Sequence, residues 1–123
     1  MMLAENGEDF MRTFLTIALL LAASPALADE DCNRATNQNE INRCAQDNYS
    51  AADRALNEAW ARLPEGVKSK LRSEERDWIA RRDTACKAEA SESEGGSIYP
   101  TLLFSCMAEK TKARTKILLV YTR

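Results

Sequence analysis

Histidine is absent from the chain of 123 residues, and its four cysteines include no Cys-x-x-Cys pair. Zinc sites in proteins are usually built from histidine and closely spaced cysteine, so the sequence lacks a usual zinc ligand set. The carboxylates have no evident nucleophile or metal partner, and oxidised cysteines could not act as nucleophiles. We therefore expect no metal, no cofactor and no enzymatic activity.

The sequence also lacks an apolar run long enough to cross a bilayer, because residues 14–23 fall short of the roughly 20 residues required. This run follows the positive start Met11-Arg12 and precedes an Ala-x-Ala site ending at Ala28, which is the pattern of a secretory signal peptide. We expect cleavage after Ala28 and, because the acidic residues 1–10 do not suit a targeting peptide, translation from Met11. No cysteine follows the cleavage site directly, so we expect no stable membrane anchor and a periplasmic or secreted product.

An excess of charge of either sign is missing from the remaining segment, residues 29–123. Removal of residues 1–28 takes away one of the 17 basic and three of the 19 acidic residues, which leaves equal numbers. Nucleic acids and anionic membranes are bound through clustered positive charge, so this balance does not indicate either partner. At 95 residues, the segment is long enough for one domain with one modest core.

Four cysteines, an even number in a short exported chain, predict two disulfides formed in an oxidising compartment. Three pairings are possible, and we favour Cys32–Cys44 and Cys86–Cys106 because each would close a short segment around a helix end. Each disulfide is expected to stabilise the domain by about 2–4 kcal/mol.

Residues 71–86 predict a helix whose inward face is unusual. Leu71, Glu75, Trp78, Arg82 and Cys86 follow one another at intervals of three or four residues and therefore share one face. Because unpaired buried charge is costly, we expect Glu75 and Arg82 to be at least partly buried and to have partners. We expect this helix to be the middle of the bundle.

Residues 71–86 belong to the second of three predicted helices. The first is predicted from the capping-box pattern Asn37-x-x-Glu40 up to Leu63, where proline and glycine follow. The second helix then covers residues 67–90. The third begins near Pro100 and has an inward face that includes Ile117 and runs as far as Tyr121. No alternating segment indicates a strand. We predict an all-α fold, a small three-helix up-down-up bundle held by disulfides.

Several polar residues fall on or beside the apolar stripes and form a predicted structural network. Counted from the cysteine end at about 1.5 Å per residue, Arg114, Asp53 and Glu75 lie within roughly one turn of the same level. We therefore expect Arg114 to bridge to Glu75, to Asp53 or to both. The whole predicted network consists of Asp53, Asn57, Glu75, Arg82, Thr111 and Arg114.

Short motifs in a characteristic order cover most of the segment between Cys32 and Leu118. In chain order they are Cys32 with Ala35, Thr36 and Cys44; Ala52, Asp53, Leu56 and Asn57; Trp78, Ile79, Arg82, Asp83 and Cys86; Gly95, Gly96 and Ser97; and Cys106 with Thr111, Arg114 and Leu118. In these motifs the chain resembles the LprI-like lysozyme inhibitor family. The resemblance implies a small exported domain that binds and blocks a lysozyme in the periplasm. The family pattern usually has glutamine at the position of Glu75, an aromatic residue at that of Arg81 and tyrosine at that of Trp60.

Residues 91–100 are the expected contact segment if the domain is an inhibitor. Three packed helices have convex faces, whereas the cleft of a lysozyme is concave, so a loop is the more suitable element to enter it. Gly95 and Gly96 permit a close backbone approach, and Ser97 and Tyr99 supply hydroxyls that can hydrogen-bond to carboxyl groups. These four are the candidate partner-binding residues. The alternative, equally open at this point, is that Gly-Gly-Ser only ends one helix and begins the next.

The apolar end of the third helix indicates an alternative function. Residues 117–121 are more apolar than one buried stripe requires, and they could form a surface for another protein or for a second copy. The alternative function is therefore a non-catalytic adaptor or structural module that binds another envelope protein.

Overall fold

Three α-helices make up most of residues 31–123, which is the part of the chain described by the computed structural model. Helix α1 spans Gln38–Ala61, α2 spans Glu65–Ala90 and α3 spans Tyr99–Val120. Two short 3-10 helices, Cys32–Arg34 and Ser91–Ser93, precede α1 and follow α2, and no strand occurs in this part. The all-α prediction is confirmed. The predicted signal peptide, with its start at Met11 and its cleavage site after Ala28, lies outside the described residues.

Helix α1 begins at the predicted cap, with one difference in the hydrogen bonds. The Asn37 side chain accepts a hydrogen bond from the Glu40 backbone N–H at 3.0 Å. The Glu40 carboxylate reaches one residue further back than an ordinary capping box, and Oε2 accepts from the Thr36 backbone N–H at 2.8 Å and from its hydroxyl at 3.0 Å. The hydrogen bonds from Thr36, the backbone one first, hold the pKa of Glu40 below its ordinary value.

Helices α2 and α3 each begin slightly earlier than the sequence predicts. Pro64 is the N-cap of α2, so Glu65 and Gly66 belong to the first turn of α2 and not to the segment that separates the two helices. Helix α3 starts at Tyr99, with Pro100 in its first turn. A proline costs little at these positions because the first backbone N–H groups of a helix have no partner inside it. The loop between α2 and α3 is therefore confined to residues 91–98, which we call the connecting loop.

The directions of the helices follow from contacts at both ends of the bundle. Asn42 near the start of α1 hydrogen-bonds to the Ser97 carbonyl just before α3, and Leu56 and Leu118 share a core cluster further along both helices. Helices α1 and α3 are therefore parallel. Helix α2 runs the opposite way, because its last turns are bonded to the first half of α3 through Cys86–Cys106. The up-down-up topology is confirmed.

Helix α3, and not α2, is the middle of the bundle, so that prediction was wrong. Helix α3 packs closely against both other helices, whereas α1 and α2 approach each other less closely. The buried face of α1 carries alanines at positions 45, 52 and 59, and these small side chains allow α3 to come near. Larger side chains, among them Trp60 on α1 and Trp78 on α2, pack against the apolar core, and Trp60 also lines the space between α1 and α2.

The apolar core is small and lies toward the end of the bundle opposite the connecting loop. Leu56, Ala59, Leu63 and Leu118 are buried together there, and larger side chains pack around them. Ile117 and Tyr121, which were expected to face inward, are about half exposed at 50% and 46%. Leu118 is fully buried and occupies the inward position at this level, which leaves its neighbour Ile117 turned toward the surface.

Both predicted disulfides are present. Cys32 is bonded to Cys44, which ties the short helix before α1 to the body of α1. Cys86 is bonded to Cys106, which joins α2 to α3 across the connecting loop. Because the core contains few large buried side chains, we expect covalent links to supply a substantial part of the stability.

Candidate functional site

A group of buried polar residues connects α2 to α3 in the middle of the bundle. The Arg114 guanidinium donates through Nε to Glu75 Oε2 at 2.8 Å, and its Nη2 lies 2.7 Å from the same oxygen. Its Nη1 donates to Glu74 Oε1 at 3.0 Å. The bridge from Arg114 to Glu75 that the helical register indicated is thus present, and Glu74 is a second partner that the stripe pattern did not indicate.

The environment of Arg114 favours its charged form despite its burial. Only 6% of the residue is exposed, and burial alone would lower the pKa of the guanidinium. The hydrogen bonds and negative charges of Glu75 and Glu74 outweigh this effect and raise the pKa of Arg114 above its ordinary value. The two carboxylates therefore keep a buried cation fully charged.

Arg82 is held by groups from all three helices. Its guanidinium donates through Nη1 to the Thr111 hydroxyl of α3 at 3.1 Å and through Nε to Asp83 at 3.0 Å. It also lies 5.4 Å from the ring centroids of both Tyr49 on α1 and Trp78 on α2, within range for cation–π attraction. We call Glu75, Arg82, Thr111 and Arg114 the polar core, since each is buried and hydrogen-bonded to a side chain of another helix.

Asp53 and Asn57, the other two residues of the predicted network, lie outside the polar core. They line a cleft between α1 and α2, on the α1 side, and contact each other through a long hydrogen bond of 3.5 Å. The described contacts of Arg114 are with α2 and do not reach Asp53. The reason is the arrangement of the helices, because α3 is central and α1 is separated from α2 by the cleft.

The connecting loop has a defined backbone path. Gly95 has a φ angle of +83°, in the left-handed region that glycine adopts without strain. The Gly96 backbone N–H donates to the Ser93 carbonyl at 2.9 Å, and the Gly96 carbonyl accepts from Tyr99 N–H at 3.3 Å. A Cβ atom on Gly96 would lie only 3.1 Å from the Ser93 carbonyl oxygen. The turn therefore favours glycine at position 95 through its backbone conformation, whereas at position 96 a side chain would require the Ser93 carbonyl to shift by a few tenths of an ångström.

Side chains of α1 and α3 fix the end of the connecting loop in place. Asn42 Nδ2 donates to the Ser97 carbonyl at 2.9 Å, while Asn42 Oδ1 accepts from the Thr101 hydroxyl at 2.6 Å and from Gln38 Nε2 at 2.8 Å. Sequence reasoning did not single out Gln38, Asn42 or Thr101. Their polarity is ordinary for a helix surface, and only the parallel packing of α1 and α3 brings them together.

The side chains of the connecting loop and of the residue after it remain available for contact. Ser97 is exposed, and Ile98 is 45% exposed although it is apolar. Within residues 31–123, the hydroxyls of Ser97 and Tyr99 make no hydrogen bond. The four candidate partner-binding residues thus lie together, Gly95 and Gly96 shaping the turn while Ser97 and Tyr99 follow it.

Comparison with known proteins identifies the family of this chain. The family model for lysozyme inhibitor LprI matches residues 29–118. The chain belongs to the LprI family of lysozyme inhibitors. It is also 32% identical to an uncharacterized protein of Rhizobium meliloti (strain 1021), in an alignment that covers 79% of this chain and 84% of that protein. None of the solved structures matches the chain.

Family membership agrees with the physical character of the domain. An inhibitor family acts by binding a protein and needs no catalytic residues of its own, and the two disulfides suit an exported protein. None of the helices within residues 31–123 combines the length and the apolar character needed to cross a membrane.

Proposed function

We propose that this LprI family member is exported to the periplasm, or secreted, and there binds and blocks a lysozyme. The observation that carries the proposal is the match to the lysozyme inhibitor family over residues 29–118, which includes both disulfides and all of the connecting loop. The signal-peptide pattern that ends at Ala28 supports export.

We further propose that the connecting loop is the inhibitory contact. Its exposed Ser97 and Ile98 combine a hydroxyl with an apolar side chain, a mixture that suits a protein interface. A loop whose ends are held by Asn42 and by the Cys86–Cys106 disulfide loses little conformational entropy on binding. Such preorganisation favours tight association.

The chemistry of the target cleft is compatible with this loop. Lysozymes cleave their substrate with two carboxyl groups that flank the scissile glycosidic bond. The hydroxyls of Ser97 and Tyr99 can each donate a hydrogen bond to a carboxylate. A loop in the cleft would also exclude the saccharide, so occupation alone would inhibit.

The direct experiment is an inhibition assay with the disulfide-bonded domain, residues 29–123. The domain should slow cell-wall hydrolysis by at least one member of a panel of lysozymes of different structural types, in a dose-dependent way. The reduced and unfolded domain serves as the control and should have no effect. Absence of inhibition across the panel would contradict the proposed function.

The end of α3 favours a second candidate, the adaptor that binds another envelope protein. Ile117 is 50% exposed and Val120 is 60% exposed, and Leu119 and Tyr121 beside them are also exposed. Apolar side chains grouped in this way are typical of protein contact surfaces. Crosslinking in intact cells separates the two candidates, because an adaptor would yield envelope partners through this surface while the purified domain inhibited no lysozyme.

A further inference from the structure

The cleft between α1 and α2 has the size and lining of a ligand site. Its volume is about 430 Å³, within the range of about 300–1,000 Å³ that is common for small-molecule sites. It exists because α1 and α2 both pack on α3 while remaining apart from each other. Two of its lining residues, Glu75 and Arg82, belong to the polar core, and the other lining residues do not.

The α2 side of the cleft carries two arginines one helical turn apart. Arg72 and Arg76 are both exposed and both line the cleft, and neither side chain forms an ion pair or a hydrogen bond among residues 31–123. Like charges at this spacing repel each other slightly. An anion bound between them would relieve that repulsion, and a guanidinium group matches the planar geometry of a carboxylate.

The floor of the cleft is apolar. Leu56 is buried, Trp60 is half-buried, and Ile79 is exposed although its side chain lines the cleft. An apolar group of a ligand would remove part of this surface from water, which is favourable. The ligand therefore combines an anionic group with an adjacent apolar group.

The α1 side of the cleft adds hydrogen-bonding groups. Two other charged residues that line the cleft already have ionic partners. Asp53 and Asn57 share only a long contact of 3.5 Å, so both can pair with an amide group of a ligand. Arg82 and Glu75 also line the cleft, but Asp83 and Arg114 respectively pair with them. Arg72, Arg76 and Asp53 are the lining charges left without an ionic partner within the described residues.

We propose that this cleft binds the free carboxyl end of a peptide whose last side chain is apolar. Arg72 and Arg76 bind the carboxylate, the floor formed by Leu56, Trp60 and Ile79 receives the side chain, and Asp53 and Asn57 pair with the peptide amide. This site is distinct from the connecting loop and does not depend on the proposed inhibition of lysozyme.

The test uses N-acetyl-leucine as the probe and N-acetyl-leucinamide as its neutral counterpart. Each is titrated into isotope-labelled domain, residues 29–123, while the backbone resonances and the Trp60 indole resonance are followed by NMR. The acid should shift Trp60 and Asn57 and bind roughly tenfold or more tightly than the amide, because hydrogen bonds to charged groups are stronger than those between neutral groups. Equal binding of the two probes, or no shift of cleft residues by the acid, would overturn the proposal.

A matched pair of variants tests the assigned residues. Arg72→Gln/Arg76→Gln should abolish the preference for the acid, whereas Lys87→Gln/Lys116→Gln, which removes two exposed charges away from the cleft, should leave it unchanged. Thermal melting of both variants checks that the fold is retained. Undiminished binding of the acid by the arginine variant would contradict the proposal, as would a neutral saccharide that shifts the cleft resonances more strongly than the acid does.

Discussion

Arg114 of α3 and Glu75 of α2 form an ion pair in which Nε and Nη2 of the guanidinium both contact Oε2 of the carboxylate, at 2.8 and 2.7 Å. Both residues are more than nine-tenths buried, and the pair joins the central helix to one of its two neighbours. Buried ion pairs are costly to break on one side, because the remaining charge then has no partner. The pair therefore fixes how α2 lies against α3.

Replacement of Arg114 should destabilise the domain strongly. Arg114→Ala leaves the buried Glu75 carboxylate without its partner, and we expect a loss of about 3–5 kcal/mol in the free energy of unfolding. Lys116→Ala on the exposed side of the same helix is the control and should change stability by less than about 0.5 kcal/mol. Chemical denaturation measures both. An Arg114→Ala domain as stable as the parent would show that Glu75 is solvated.

The two disulfides should differ in their effect on function and resemble each other in their effect on stability. Each double replacement of cysteine by alanine should lower the free energy of unfolding by about 2–4 kcal/mol. Only the loss of Cys86–Cys106 should also weaken lysozyme inhibition, because this bond joins the helices on either side of the connecting loop. If both variants inhibit lysozyme equally well below their melting temperatures, the connecting loop is not the inhibitory contact.

The cap of α1 should make stability sensitive to acid. The folded state lowers the pKa of Glu40 from its ordinary value of 4.5, so the stabilisation by its carboxylate is fully present above pH 4.5 and is lost as the pH falls through the lower, folded value. Glu40→Gln should therefore melt below the parent at pH 7, and the difference should narrow as the pH falls below 4.5. A difference that does not depend on pH would mean that the carboxylate charge contributes nothing.

Two glycines should respond in opposite ways to replacement by alanine. Gly95→Ala places a Cβ at a φ of +83° and should cost about 1–2 kcal/mol. Gly66→Ala lies in the first turn of α2 with no atom within 4 Å of the added Cβ, and it should stabilise by up to about 0.5 kcal/mol. Thermal unfolding of both variants measures the two changes in stability. Equal effects would mean that the left-handed conformation of Gly95 is not retained in solution.

The helices were predictable because each depends on spacing along one chain segment, and the buried ion pair was predictable because Arg114 and Glu75 lie at similar distances from the cysteine end of their helices. The stripe from Leu71 to Cys86 indicated that Glu75 and Arg82 face inward, and both are buried. The central position of α3 was not predictable in this way. It depends on the alanines that let α3 approach α1, and such a fit between two surfaces has no periodic signature.

The contacts that hold the connecting loop in place were also not predictable from the sequence. Asn42 and Ser97 are 55 positions apart, and neither residue type indicates a partner by itself. The reach of Glu40 to Thr36 is a smaller case, since the capping pattern gave the correct helix start but not the hydrogen-bond partner. Patterns thus predicted which faces are buried and one ion pair between helices, whereas the polar contacts made by Asn42 and by Glu74 required the structure.

Titration of a susceptible lysozyme with three forms of the domain tests whether the connecting loop is the inhibitory contact. Ser97→Ala/Tyr99→Ala removes the two hydroxyls assigned to the contact, and Ser105→Ala/Tyr121→Ala makes the same chemical change on an exposed residue of α3 and on the exposed residue that follows this helix. The loop variant should require roughly tenfold or more domain for half-inhibition, consistent with two lost hydrogen bonds to charged groups, while the control inhibits like the parent. If the loop variant keeps its fold and inhibits as well as the parent, the connecting loop is not the inhibitory contact.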